Sequence, residues 1–250
     1  EFPATERAAR LFLQLGRVDD GKKFLSRMIE NPSCDAELLF AEDFYERKFQ
    51  HKKVGRLTEL LRGATNYAID ETNRDRPEAG VISLLARQGE LAFHTENVIW
   101  NQLFGLLFWD LLFESSATIH NEFERKPWGL DSGKFYETHC EKIESRLSEF
   151  ADPTSLLKRI HFHWEQNEGT PNAFVPLFPG SLELISLLLS SAPQGGLPAI
   201  LRERMQSHRK HRSGFPDLMV HNGKGLRFIE VITEGDRISR KQLTRLEQLR

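Results

Sequence analysis

Two carboxylates, Asp217 and Glu230, are spaced so that they could do chemistry together. They lie in the stretch 212–237, RSGFPDLMVHNGKGLRFIEVITEGDR. Leu218, Met219 and Val220 form a short apolar run, and 227–232 forms a second, rich in β-branched and aromatic residues. Between them, Asn222-Gly223-Lys224-Gly225 is a turn cluster of the kind that closes a hairpin. A hairpin centred between Gly223 and Lys224 pairs Asp217 with Glu230. Directly paired side chains sit about 4.5–5.5 Å apart on one face, where like charges destabilise a sheet. Such a pair calls for a protonated member or for a cation between the two. Ile232, two residues beyond Glu230, points to the same face of an extended strand.

Basic segments flank this pair. The stretch 201–212, LRERMQSHRKHR, carries Arg202, Arg204, Arg209, Lys210 and Arg212 against Glu203, and leads straight into the hairpin. Beyond it come Arg237, Arg240, Lys241, Arg245 and Arg250, with Ser239 and Gln242 spaced as the capping box of a helix. Cations on both sides of a carboxylate pair suit a phosphodiester enzyme. They draw in a polyanion and hold its backbone without reading its sequence. Arg209, Lys210, His211, Arg212, Arg237 and Lys241 are the candidate backbone contacts. The alternatives are surface charge for His211 and Arg212, and a nearby acid for Arg237. Lys52, Lys53 and Arg56, in the basic stretch 50–62, form either a phosphate-contacting arm or a solvated helix face.

The elements that must position these groups are mostly helical. Apolar periodicity predicts helices from Ala8 to Leu15, stopped by Gly16, from Asp20 to Ile29, and from Asp35 to Phe49. These short helical pairs resemble tetratricopeptide-like hairpins. A loop at 73–78, NRDRPE, places a domain boundary near Pro77. Next, Thr95 or His94 is expected to cap a helix reading NVIWNQLFGLLFWDLLF, apolar almost all round and therefore central and buried. Glu96 falls in its first turn, where by itself it reads as a complement to the helix dipole. Further helices are expected over 134–150, 155–167 and 181–191. His161 and His163 fall on one of them and read as core or surface histidines.

Composition bounds the rest. The chain has 250 residues, 39% hydrophobic and 28% charged, enough for a soluble globular core in one or two domains. Its formal net charge of −2 gives no global pull toward nucleic acid, so any polyanion site must be a local patch. Cys34 and Cys140 are too few for a disulfide framework or a zinc signature and fit a reducing, intracellular compartment. The opening residues show no signal-peptide pattern. The apolar run 103–113 is broken by Asp110 and too short to span a bilayer, so no membrane association is expected. The chain reads as a fragment of a longer protein.

Asp217 and Glu230, preceded by Pro216, match the PD-x(n)-(D/E)-x-K pattern of restriction-endonuclease-like nucleases except at its last position. RSGFPDLMV, RFIEV and EGDRISRKQ closely resemble the VRR-NUC nuclease domain, and within it the Fanconi-associated nucleases. TENVIWNQLFGLLFWDLLF resembles that family's helix, with Glu96 followed by Gly105, Leu106, Leu107, Trp109 and Asp110. The resemblance implies an α-rich α/β fold: a restriction-endonuclease-like mixed β-sheet core with flanking helices, preceded by a tetratricopeptide-like helical region. It places a helical fragment at 1–77 and the nuclease domain, short at its C-terminus, at 78–250. It implies a structure-specific DNA nuclease dependent on one or two Mg²⁺ or Mn²⁺ ions, cutting 5′ flaps and degrading from 5′ ends in repair that includes interstrand crosslinks. By position, Glu96, Asp217 and Glu230 become metal ligands, with the Val231 backbone carbonyl completing the shell. Gln242 falls in a matching motif as a catalytic candidate.

Ile232 departs from the pattern, which has lysine there to orient the attacking water and stabilise charge. Isoleucine carries neither charge nor donor. Metal binding is expected to survive and catalysis to be impaired. Either the substitution is a deliberate inactivating one that traps intact DNA, the explanation favoured by the retention of the surrounding motif, or the protein is a natural variant with a relocated cation, for which Arg227, Arg237 and Lys241 are candidates. The alternative function is a catalytically inactive module that binds branched DNA. The expected partner is DNA, with a protein partner for the helical region as a further option.

Overall fold

The computed structural model describes residues 2–114, 126–170, 172, 175–176, 180–193, 195–223 and 225–250. The chain divides into two compact units, one formed by 1–68 with 238–247 and the other by 69–237 with 248–250.

In the first unit, α1 (Ala4–Gln14), α2 (Val18–Glu30) and α3 (Asp35–Phe49) bury one apolar face each. Their core is Ala9, Leu25, Met28, Ala41 and Phe44. Gly16, at φ 72°, supplies the left-handed residue that ends α1. α4 (Arg56–Arg62) follows. The segment 238–247 also belongs to this unit.

In the second unit, α5 (Pro77–Arg87) starts with proline in its first turn, where the missing N–H costs nothing. It leads into β1 (Leu91–His94), a short strand with no strong alternation in the sequence. α6 (Val98–Leu107) follows and is buried nearly all round, as its composition predicts. It is shorter than the expected helix. Arg146 Nη1 donates to the Leu107 carbonyl at 2.6 Å, taking the acceptor that the next turn would need. The chain then widens into a π turn over Asp110–Glu114, where Asp110 pairs with Arg146 at 2.8 Å.

α7 (Lys134–Ser148), α8 (Pro153–Asn167), α9 (Ser181–Ser191), α10 (Gly196–Gln206) and α11 (His208–His211) complete the helical shell. β2 (Leu218–His221) and β3 (Leu226–Ile229) form the hairpin. α12 (Arg240–Gln248) ends the described chain. It opens with the predicted capping box: the Ser239 N–H donates to Gln242 Oε1 at 2.8 Å and the Gln242 N–H to Ser239 Oγ at 3.3 Å.

The sheet order is β1-β2-β3. Both pairings are antiparallel, so the mixed sheet expected from the sequence is antiparallel throughout among the described residues. β1 runs directly against β2, and no parallel crossover strand is present among those residues. β2 is the central strand, with Leu218, Met219 and Val220 fully buried. Its register with β3 pairs Leu218 with Ile229 and His221 with Leu226, which centres the hairpin where the turn cluster predicts. Trp100 of α6 stacks on Phe215, with centroids 4.3 Å apart and planes at 13°, fastening the buried helix to the start of β2. Arg204 of α10 is fully buried and holds the same helix. Its Nη1 donates to the Trp100 carbonyl at 2.9 Å, and its guanidinium lies 4.2 Å from the Phe104 ring centroid. Arg204 Nε also donates to His208 Nδ1 at 3.3 Å. Burial and the Arg204 charge push the His208 pKa down to about 3, so its ring is neutral and can accept.

Candidate active site

The site is built where β1 ends, α6 begins and β2 starts. The register of the hairpin, extended one residue past its ladder, sets Asp217 opposite Glu230. β3 stops at Ile229. Beyond it the Asp217 side chain replaces the strand partner: Oδ2 accepts the Val231 N–H at 2.9 Å. The Asp217 main chain faces the other way. Its carbonyl accepts both the Thr95 N–H at 2.9 Å and the Glu96 N–H at 3.0 Å. One residue thus ties the end of β1 to the hairpin and brings Glu96 beside Asp217.

Glu96 is not in the first turn of the helix. It precedes α6 at φ +33°, a region that L residues other than glycine rarely adopt. The N-cap position belongs to Asn97 rather than to Thr95 or His94. Thr95 is instead buried, and its Oγ1 has no hydrogen-bond partner among the described residues. The two backbone donors to Asp217 explain the shift: they hold 95–96 in the site and delay the helix cap by two or three residues. The Glu96 carboxylate is exposed and accepts from Asn97 Nδ2 at 2.8 Å.

Burial, with the negative charges of Glu78 and Glu96, holds the Asp217 carboxyl above its ordinary pKa, against the lowering pull of the Val231 N–H and of His94. Glu78, in the first turn of α5, and His94, at the end of β1, are therefore neighbours of the site that sequence reasoning missed. His94 pairs with Leu218 in the β1–β2 register, next to Asp217. Neither residue sits in a motif. Only the docking of α5 and β1 brings them in.

Among the described residues, no three His, Cys, Asp or Glu side chains are drawn into a shared metal-holding geometry. Each of two carboxylates is held through one oxygen by a local donor, Glu96 by Asn97 Nδ2 and Asp217 by the Val231 N–H. The donor chemistry nevertheless fits a hard divalent cation. The candidate ligands are carboxylate oxygens, and burial together with the nearby charges of Glu78 and Glu96 raises the Asp217 pKa, a cost that a bound cation relieves. Glu230 is half-buried, with its Oε2 fully covered, while Ile232 is exposed at 36%.

The DNA-contact candidates and Gln242 divide between the two units. Arg209, Lys210, Arg212 and Arg237 are exposed in the second unit, with His211 half-buried beside Glu203 at 3.6 Å. Lys241, Lys52, Lys53, Arg56 and Gln242 belong to the first unit. Of these, Lys52 is engaged with Glu46 at 2.7 Å and Glu59 at 2.9 Å, and Arg56 with Glu247 at 3.0 Å and Glu42 at 3.1 Å. Those two side chains form internal ion pairs rather than an open basic arm. Charge counting saw the cations of 50–62 but not the acids that α3 and α12 present to them. Gln242 Oε1 is occupied by the capping box. Arg227, a candidate for relocated charge, is paired with Glu90.

Residues 151–250 match the family model described as the VRR-NUC domain. Over 159 residues the chain is 33% identical to a Fanconi-associated nuclease 1 homolog of Caenorhabditis briggsae, covering 60% of this chain and 18% of that protein. It is 31% identical over 161 residues to the Arabidopsis thaliana homolog, covering 62% and 18%, and 29% identical over 163 residues to the human Fanconi-associated nuclease 1, covering 62% and 16%. The chain thus spans less than a fifth of the length of these relatives. Its fold is similar to that of paFAN1 in a crystal structure bound to 5′-flap DNA with a 2-nucleotide flap and a gap. The TM-score is 0.69 at 23% identity, covering 99% of this chain and 46% of that one.

Proposed function

We propose that this chain is the nuclease portion of a Fanconi-associated nuclease, built to bind branched DNA and to hydrolyse its phosphodiester backbone in DNA repair, with catalysis weakened by Ile232. The observation that carries the reading is the junction at Asp217. Its carbonyl fastens Glu96, and the register of its strand sets Glu230 opposite it. The VRR-NUC match over 151–250, which contains Asp217 and Glu230, and the likeness to Fanconi-associated nuclease homologs support it.

Glu96, Asp217 and Glu230 would hold Mg²⁺ or Mn²⁺, with the Val231 carbonyl as a further ligand. The cation, when bound, activates water and neutralises charge on the scissile phosphate. The chain's own residues do the rest. The Val231 N–H holds Asp217 Oδ2 in place. The buried stack of Trp100 on Phe215 keeps the Glu96 turn and the Asp217 strand in register. Arg209, Lys210, Arg212 and Arg237 are exposed cations suited to the DNA backbone, as is Lys241. By analogy with the family, the substrate is a 5′ flap, and degradation proceeds from 5′ ends.

Ile232 offers no hydrogen-bond donor where the family pattern has lysine. That observation favours, as a second reading, a module that binds branched DNA without cutting it. One substitution separates the two. Ile232→Lys, assayed on a labelled 5′-flap duplex with Mn²⁺, should cleave faster by on the order of 10²–10³. Activity that stays at background, with flap binding intact after Asp217→Ala and Glu230→Ala, would establish the binding module instead.

A further inference from the structure

Asn97 occupies the N-cap of α6, yet its side chain makes no cap hydrogen bond. Asparagine is among the strongest N-cap residues because its oxygen accepts from the open N–H groups of the first turn. Here the amide is spent elsewhere. Nδ2 donates to Glu96 Oε1 at 2.8 Å, and Oδ1 accepts the Phe215 N–H at 3.3 Å. A carboxylate only accepts and a backbone N–H only donates, so both bonds demand the same orientation of the amide. Phe215 lies two residues before Asp217 and is clamped by its stack on Trp100. The amide therefore bridges the side chain of one candidate ligand to the strand that carries another.

We infer that Asn97 is a positioning residue: it aims the Glu96 carboxylate toward Asp217 and so sets the affinity of the site for a divalent cation. The inference rests on the metal-site reading proposed above. Glu96 needs such help more than its partners do. It is exposed, and its side chain leaves a backbone at positive φ with no strand or helix to direct it. Holding Oε1 fixes the direction of Oε2. The amide is neutral, so it orients the carboxylate without cancelling the charge that a cation needs. Groups that orient a ligand in this way typically carry a 10- to 100-fold share of metal affinity, about 10–100-fold on removal.

The test is Mn²⁺ affinity, read by paramagnetic relaxation on the unaltered chain, on Asn97→Ser and Asn97→Ala, and on each of these combined with Glu96→Gln. Serine caps a helix well, which protects the fold, but it is too short to reach both partners. The expected result is a Kd raised about 10–100-fold by either substitution, with little or no further loss in the Glu96→Gln background. A Kd unchanged in both variants while the unaltered chain binds Mn²⁺ would overturn the inference alone. Losses that add in full to that of Glu96→Gln would overturn it too, because Asn97 would then act through Phe215 and the fold rather than through Glu96. Failure of the unaltered chain to bind Mn²⁺ would remove the metal-site reading and this inference with it.

Discussion

Glu96 should be a residue that the fold tolerates at a cost, and replacing it should show that cost directly. Its φ of +33° falls short even of the left-handed well. An L residue in that region is disfavoured by roughly 1–2 kcal/mol, a penalty that glycine escapes. Glycine loses roughly 0.5–1 kcal/mol through its freer unfolded chain. The informative comparison is Glu96→Gly against Glu96→Ala. Both lose the hydrogen bond from Asn97, and both keep the N–H that donates to the Asp217 carbonyl. Those effects cancel, leaving strain relief against chain entropy. The glycine variant should be the more stable by about 0.5–1 kcal/mol, which for a chain of this size is about 1–4 °C in melting temperature. Thermal unfolding without divalent metal measures it, and both variants should lose Mn²⁺ affinity alike. His51→Gly relieves the other non-glycine at positive φ among the described residues, at 60°, and should leave Mn²⁺ affinity unchanged. An alanine variant as stable as the glycine one would refute the claim that the backbone here is held under strain for the sake of the site.

Three further outcomes are expected. A Cβ on Gly105 would lie 1.9 Å from Val175 Cγ2, so Gly105→Ala should destabilise by about 1–2 kcal/mol despite alanine's helix preference, and Val175→Ala should recover most of that loss in the double variant. Asp217 has a folded-state pKa above its unfolded one, so its ionisation opposes folding at neutral pH. Asp217→Asn should be more stable than the unaltered chain at pH 7, with the advantage fading as pH falls through the folded pKa and gone below the unfolded value near 3.8; a pH series of melting temperatures in metal-free buffer reads this, and an advantage that grew on acidification would contradict it. Asp110 behaves oppositely. Burial raises its pKa, but the Arg146 hydrogen bond and charge outweigh that and hold it below its ordinary value, so the pair stabilises above pH 3.8 and the benefit is lost as pH falls through the lowered folded pKa; Asp110→Asn should cost roughly 1 kcal/mol at pH 7 and nothing in strong acid.

Local chemistry made part of this molecule readable. The register of the hairpin follows from its turn residues and from alternation with period two. The capping box at Ser239 and the bounds of α3 follow from residue types a few positions apart. Long-range contacts hid the rest. β1 is four residues long, and pairing with β2 makes it a strand. α6 ends early because Arg146, thirty-nine residues away, takes the Leu107 carbonyl. Glu96 looked like a dipole complement because its positive φ is imposed by Asp217, far along the chain. Glu78 and His94 entered the site unannounced for the same reason. Lys52 and Arg56 looked available for phosphate because a sequence shows charge but not the acid that folds against it.

The proposed activity requires a divalent cation held at the Asp217 junction. Anomalous diffraction from crystals grown with Mn²⁺ tests this most directly. It should show a peak with Asp217, Glu230 and Glu96 oxygens at roughly 2.0–2.6 Å, the span of oxygen ligands to such ions. Crystals in which Mn²⁺ binds elsewhere and no peak lies at these three carboxylates would contradict it.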